Sequence, residues 1–302
     1  MIRILGTILA ALLGLAFGSF LNVCLSRWPE GESVVKPRSH CRNCGRTLAW
    51  WENIPLLSWI ALRGRCRTCK TKISWRYPLV ELAVGALWAV PAWQFMPELL
   101  KPSMPVTILL WDLVVVIAMF TFYWLLVALA ALDSERLWLP NWITFPGIAL
   151  GFLFAIAKAT LDALSPFHDT VNRFEVIRYE IGQAILSSME GALAAAGLIL
   201  LIRWTYWLIR RREGIGLGDA KLMAMLGAWL GLSGALLSFA IGVMLGAVFA
   251  LVVLAIPTAR RESDTWLLSK MPLGTLLCVG GVISALWGQP LIAAYLRLVG
   301  LR

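Results

Sequence analysis

Two aspartates stand where a carboxylate is costly to keep. Asp219 lies in Gly214-Ile-Gly-Leu-Gly-Asp-Ala-Lys221, between two long apolar runs, Ala192 to Ile209 and Leu222 to Ile256. Asp133 closes another apolar run and precedes a polar turn. A carboxylate at the mouth of a membrane helix loses hydration and needs a reason to be there. Glycines at 216 and 218 remove side chains beside Asp219 and let another backbone come close. Taken singly, Asp219 reads equally well as a helix N-cap, and Asp133 as a helix-end acid. Taken together they offer acid–base chemistry. Two close carboxylates do not both ionise cheaply, so one keeps a proton near neutral pH. The charged member can deprotonate a water that attacks an amide. The protonated member can donate to the carbonyl oxygen and then to the leaving amine.

Other side chains offer less. The two histidines are His40, beside a cysteine, and His168, in a loop expected on the opposite side of the membrane; neither pairs with a Ser or Cys nucleophile. Glu81 is a buried hydrogen-bonding group or part of a second site. Asp112 and Glu190 read as interfacial or helix-packing residues, and Glu135 as a solvated turn residue.

A second constellation is metal-like. Cys41-Arg-Asn-Cys44 and Cys66-Arg-Thr-Cys69 are two Cys-x2-Cys pairs with 21 residues between them. Four thiolates in two such knuckles close a tetrahedral Zn²⁺ site. Disulfides are the alternative, and a reducing compartment disfavours them. A closed four-cysteine site has no open position, so its metal holds a core-poor loop together. Cys24 and Cys278 fall in apolar runs and read as small fillers.

The elements that position these groups follow from hydropathy. The chain is 60% hydrophobic and 15% charged, with a mean hydropathy of +0.78. Apolar runs of about 20 residues without period-2 alternation fit spanning helices, not barrel strands. The expected fold is all-α: a polytopic membrane protein of about eight transmembrane helices with a small cytoplasmic zinc-binding loop domain. The spans run over about 4–24, 78–95, 106–132, 142–160 and 181–209. Two more lie within 222–256, divided near Gly231-Leu-Ser-Gly234, and the last covers 272–295. The first span reads as retained, since Gly18-Ser-Phe-Leu-Asn22 is no cleavage site. The domain division is 1–24, first helix; 25–77, zinc loop; 78–302, transmembrane bundle. Sixteen Trp suit an interfacial belt.

The net charge of +10 could invite nucleic acid, but its placement argues against it. Between Arg27 and Arg76 there are eleven Lys/Arg and three Glu, a net of +8 in one connection. Positive charge in one loop beside spans marks the cytoplasmic side, and contact with anionic lipid accounts for the excess. With the N-terminus outside, the inside connections are 25–77, 133–141, 210–221 and 257–271. The links 96–105 and 161–180 fall outside. Asp133 and Asp219 then share the cytoplasmic boundary.

In this order, the motifs resemble those of the bifunctional type IV prepilin peptidases, the leader peptidase/N-methyltransferase family of intramembrane aspartyl proteases. The resemblance rests on Gly18-Ser-Phe-Leu-Asn-Val23, Arg27-Trp-Pro29 and the two cysteine pairs. It continues through Asn53-Ile-Pro-Leu-Leu-Ser58, Leu62-Arg-Gly-Arg-Cys66 and Ile73-Ser-Trp-Arg-Tyr-Pro-Leu-Val-Glu81. It ends with Asp133 followed by Leu139-Pro-Asn141, and with Gly216-Leu-Gly-Asp-Ala-Lys-Leu222. It implies a catalytic Asp133–Asp219 pair supported by Gly216, Gly218 and Lys221, and a bacterial inner-membrane enzyme. It also implies prepilin or pseudopilin substrates and S-adenosylmethionine as methyl donor. No Rossmann-type fingerprint accompanies the donor, so its site is unassigned, with Glu81 a candidate.

The chain departs from the family pattern at Arg42, at Asn141, and at Pro272-Leu-Gly-Thr275, an altered Pro-Phe-Gly-Pro segment. Two rivals remain. A presenilin-like or signal-peptide-peptidase-like protease shares Gly-Leu-Gly-Asp, but Leu132 stands before Asp133 instead of Tyr. A non-enzymatic transporter or zinc-bearing scaffold would use the carboxylates for protons or ions.

Overall fold

A computed structural model describes residues 1–99, 104–165, 173–212, 214, 216–255 and 272–300. His168 and the expected basic connection 257–271 lie outside the described residues. The described chain is helical apart from two isolated β-bridges. The helices are α1 (Ile2–Arg27), α2 (Leu57–Ala61), α3 (Arg76–Leu99), α4 (Val106–Arg136), α5 (Asn141–Ala163), α6 (Arg173–Arg210), α7 (Leu217–Ala255) and α8 (Leu273–Leu298). Seven of them, all but α2, are long and apolar enough to cross a membrane. Helix α6 begins at Arg173, inside what reads from sequence as a loop to Glu180. The chain divides into two compact units, Met1–Ala128 and Leu129–Arg302, and the division falls within α4.

In the first unit α1 packs on α3 through small residues. A Cβ at Gly14 would lie 2.9 Å from the Gly85 Cα, and one at Gly18 would lie 2.7 Å from the Glu81 Cα. Glycines let two helices approach closely in a membrane, where packing and not water expulsion drives association. The seam sets Glu81 directly against α1. Above it, Trp88 stacks on Phe120 at 4.3 Å and donates its indole N–H to the Phe120 carbonyl. The other face of α1 shows Leu5, Leu9 and Leu12 more than half exposed. That suits lipid, where exposed apolar side chains carry no penalty.

In the second unit α7 packs between α6 and α8. Gly191 and Gly227 lie backbone to backbone, with no room for a side chain on either. Trp229 donates to the Gly147 carbonyl at 2.8 Å and binds α5 to the same core.

Helix α7 accounts for the count of seven where eight spans are expected. The two spans expected after Leu222 form one continuous element, broken only at Gly231 (φ 67, ψ −178). Its legs, 217–230 and 232–255, run in opposite directions. Positions 218 and 274 both lie against Leu139, so the starts of α7 and α8 are level. Gly234 meets Ser284 well inside α8, Gly280 meets Ser238, and Gly242 meets Leu277 near the start of α8 again. A helix that continued straight through Gly231 would not return to that level. The first leg is about 21 Å long at 1.5 Å per residue, shorter than the ~30 Å hydrocarbon core. The left-handed φ at the reversal is open to glycine without strain.

Candidate active site

Asp133 sits in the last turn of α4 and is only 5% exposed. The helix ends just past it. The Leu137 N–H returns to the Asp133 carbonyl at 2.9 Å, with Leu137 in the left-handed region. Pro140 then starts α5, its carbonyl accepting from Ile143 and Thr144. Asp219 sits in the first turn of α7. It is not the N-cap residue. It lies three residues further on than Gly216 and accepts from the Gly216 N–H at 3.3 Å. That is the return half of a capping box, so the helix-cap reading and a chemical role share one side chain.

The fold brings the two aspartates, 86 residues apart in sequence, to one place, where Leu139 packs on the residue before Asp219 and on the glycine that touches Asp133. The buried thiol of Cys278 lies within the field of both. Leu139 fills the space between Gly218 and Gly274, its nearest atoms 3.2 and 3.1 Å from where their Cβ atoms would stand. Lys221 donates to the Asn141 side-chain oxygen, tying the start of α7 to the start of α5. Gly216 leaves open space beside the Asp219 carboxylate, 3.5 Å from where its Cβ would be. The arrangement is one charged site, walled by apolar side chains, with backbone access at the glycines. It is suited to two-carboxylate hydrolysis.

The cysteines form a second site in the first unit. The two pairs fold as matching knuckles. Cys41 N–H donates to the Arg46 carbonyl and Gly45 N–H to the Cys41 carbonyl. Cys66 and Lys70 repeat this with Thr71 and Cys66. Gly45 and Lys70 occupy the same left-handed position. All four Sγ atoms lie within 4.8 Å of one another, with Cys41 and Cys69 at 3.7 Å. Tetrahedral Zn–S bonds of about 2.3 Å require sulfurs about 3.8 Å apart, so the cluster fits that ion. The Thr71 hydroxyl and backbone N–H push the Cys69 thiol down to about 5. The backbone N–H groups of Cys69 and Thr68 lower Cys66 as well. One sulfur is thus prepared as a thiolate, while Cys44 in the same cluster is pushed up to about 11, and a dication would take the place of the protons the four sulfurs share. Glu52 braces the first knuckle. It pairs with Arg46 at 2.6 Å, accepts from the Ala49 N–H, and is held below the usual carboxylate range by that arginine.

Two family models match the chain: the bacterial peptidase A24 N-terminal domain over residues 12–95, and the type IV leader peptidase family over residues 120–251. Among similar curated proteins are prepilin leader peptidase/N-methyltransferases of Pseudomonas putida and Stutzerimonas stutzeri. The first is 32% identical, with 97% of this chain and 94% of the relative covered. The second is 34% identical, covering 95% and 93%. The chain belongs to the type IV leader peptidase family. A relative of the same description from Myxococcus xanthus is 37% identical over 87% of this chain and 67% of its own length. No solved structure gives a significant match.

In this leader peptidase family member the cysteine loop also lines a cavity of about 590 Å³. Its floor is Ser19, Asn22 and Glu81, and its walls include His40, Trp59 and Tyr77. Glu81 is 7% exposed and accepts the Leu56 N–H at 2.8 Å, where Leu56 turns the chain with a left-handed φ of 58. Asn22 donates to the Tyr77 carbonyl, while its own buried oxygen has no partner among the described residues. An orphaned acceptor beside a buried carboxylate awaits a donor or a cation.

Motif reasoning flags Gly216, Gly218 and Lys221 but assigns nothing to Gly274 or Thr275. Both touch Asp133. The only sequence signal is the altered Pro272–Thr275 segment. A Cβ at Gly274 would lie 2.9 Å from the Asp133 Cγ. Gly274→Ala is expected to lower cleavage kcat/KM by about 10- to 100-fold, since small displacements of a reacting group cost about that much. A wild-type rate in a detergent assay would show that the carboxylate does not need its present place.

Proposed function

We propose that the chain is a bifunctional prepilin peptidase. In this reading Asp133 and Asp219 cleave the basic leader from a type IV prepilin or type II secretion pseudopilin at the cytoplasmic face of a bacterial inner membrane. The enzyme then methylates the freed N-terminal amine. The observation that carries the reading is that Leu139 packs both on Gly218, the neighbour of Asp219, and on Gly274, which touches Asp133, so the two aspartates sit together at the adjoining ends of α4 and α7. Similarity to relatives named prepilin leader peptidase/N-methyltransferase supports both activities. A client of this kind has a basic leader and an apolar helix, so its scissile bond lies near the membrane boundary. Its helical amide must unwind before attack, and the glycine-rich start of α7 leaves room for that.

The cavity under the zinc loop is our candidate for the methyl-donor site. Its volume is in the range of small-ligand pockets. S-adenosylmethionine, when bound, supplies an electrophilic methyl group to the client's amine. The Glu81 carboxylate and the orphaned Asn22 oxygen would hold the donor's ammonium or sulfonium charge, with Trp59 and Tyr77 as apolar walls. The metal, as zinc, would keep the roof folded and take no part in cleavage.

Glu81→Gln keeps an acceptor for the Leu56 N–H but removes the charge. It is expected to reduce methylation at least about tenfold, the order of one charged hydrogen bond, with leader removal near normal. Replacing the loop between Pro37 and Ile73 by a flexible bridge is expected to divide the activities the same way. The mass of the processed client's N-terminal peptide reads both. Methylation at the normal rate in either variant places the donor site elsewhere.

A further inference from the structure

Helix α8 begins at Pro272 with no side chain of its own to cap it. Its first-turn N–H groups therefore need partners from outside the helix. One comes from the dyad. Thr275 N–H donates to Asp133 Oδ2 at 2.6 Å. The Thr275 hydroxyl lies 3.1 Å from the same oxygen and 3.0 Å from the Ala130 carbonyl, with one proton to give. Gly274 keeps the approach clear. Among the described residues Asp219 is less well served, with one contact at 3.3 Å from Gly216. Charge-assisted hydrogen bonds favour a carboxylate that bears the charge, and Asp133 receives the shorter and more numerous of them.

We propose that Thr275 is a positioning residue that makes Asp133 the charged, water-activating member of the pair and leaves the shared proton on Asp219. The inference rests on the two-aspartate reading and assigns the roles within it. Asp133 takes a proton from water as the water oxygen bonds to the carbonyl carbon. Asp219 gives its proton to the carbonyl oxygen, forming a gem-diol. On collapse the C–N electron pair passes to nitrogen, which takes the proton held by Asp133. One diol hydroxyl returns a proton to Asp219. Both aspartates end as they began.

The test uses the full-length enzyme in detergent with a prepilin client, comparing Thr275→Ser, Thr275→Val and Thr275→Pro. Serine keeps both donors and is expected to stay within about threefold of the normal kcat. Valine keeps shape and N–H but loses the hydroxyl, with kcat expected to fall roughly 3- to 10-fold at unchanged KM. Proline, which the family pattern carries at this position, removes both donors, and kcat in this chain is expected to fall at least as far as with valine, by about tenfold. A structural cap alone would lower the melting temperature and leave kcat intact. The proposal is overturned if valine keeps the normal kcat, or if serine is as impaired as valine. Should the proline variant misfold, the serine–valine comparison decides alone. Asp133→Asn run in parallel separates the readings: if it cleaves normally, the dyad itself is wrong, whereas an inactive Asp133→Asn beside a fully active Thr275→Val refutes only the role of Thr275.

Discussion

Asparagine at position 133 or 219 is expected to lower leader removal by at least about three orders of magnitude, with the protein still inserted and folded. Asparagine keeps the size of the side chain and most of its hydrogen bonds. It accepts from Thr275 or Gly216 as aspartate does, so packing is little disturbed. It can neither accept the proton of water nor deliver one to the carbonyl. Because the pair acts as a unit, the double variant is expected to be no worse than the poorer single one. Initial rates on a purified client measure this, with metal content and a thermal melt as folding controls. Near-normal cleavage by either single variant would remove that aspartate from the chemistry and revive the scaffold or transporter reading.

Loss of the metal is the second large effect. The cysteine loop has two single β-bridges, short turns and few buried apolar side chains. Segments of this kind draw most of their folding free energy from the ion, about 10–16 kcal/mol in zinc-binding peptides. Metal analysis is expected to find about one zinc per chain. Serine at Cys41, Cys44, Cys66 or Cys69 is expected to release it, expose the loop to proteases and abolish methylation, while cleavage persists. Acid should act in the same direction. The folded Cys69 thiol lies at about 5 against an ordinary 9.0. Its thiolate therefore contributes stability fully above about pH 9 and loses it as pH falls through about 5. Below that, protons compete for the metal's ligands. A preparation with intact disulfides within the two Cys pairs and no metal would overturn this account.

Much of this was legible in the sequence because the signals were local. Uninterrupted apolar runs announce spans, two Cys-x2-Cys pairs announce knuckles, and a carboxylate after glycines at a membrane boundary announces chemistry. What was not legible depends on contacts between distant segments. Thr275 reaches Asp133 across 142 residues, and a threonine in a first helical turn carries no mark of such a partner. Glycines at 231 and 234 signal a break, but not that the legs reverse after only about 21 Å. Charge was also misjudged in part. Arg27 counts among the cytoplasmic positive charges, yet it is 5% exposed and donates to the Ser33 and Pro37 carbonyls. It shapes the loop and does not face lipid. Arg42, where the family pattern has proline, binds the Ser26 carbonyl and Glu30.

The most direct measurement is the mass of the N-terminal peptide of a prepilin client co-expressed with this chain, once as the natural sequence and once as Asp219→Asn. With the natural sequence the client is expected to lose its basic leader and to be one methyl group heavier at its new N-terminus, and with the variant to stay full-length. A client left uncut by the natural sequence, or cut equally by both, would contradict the account.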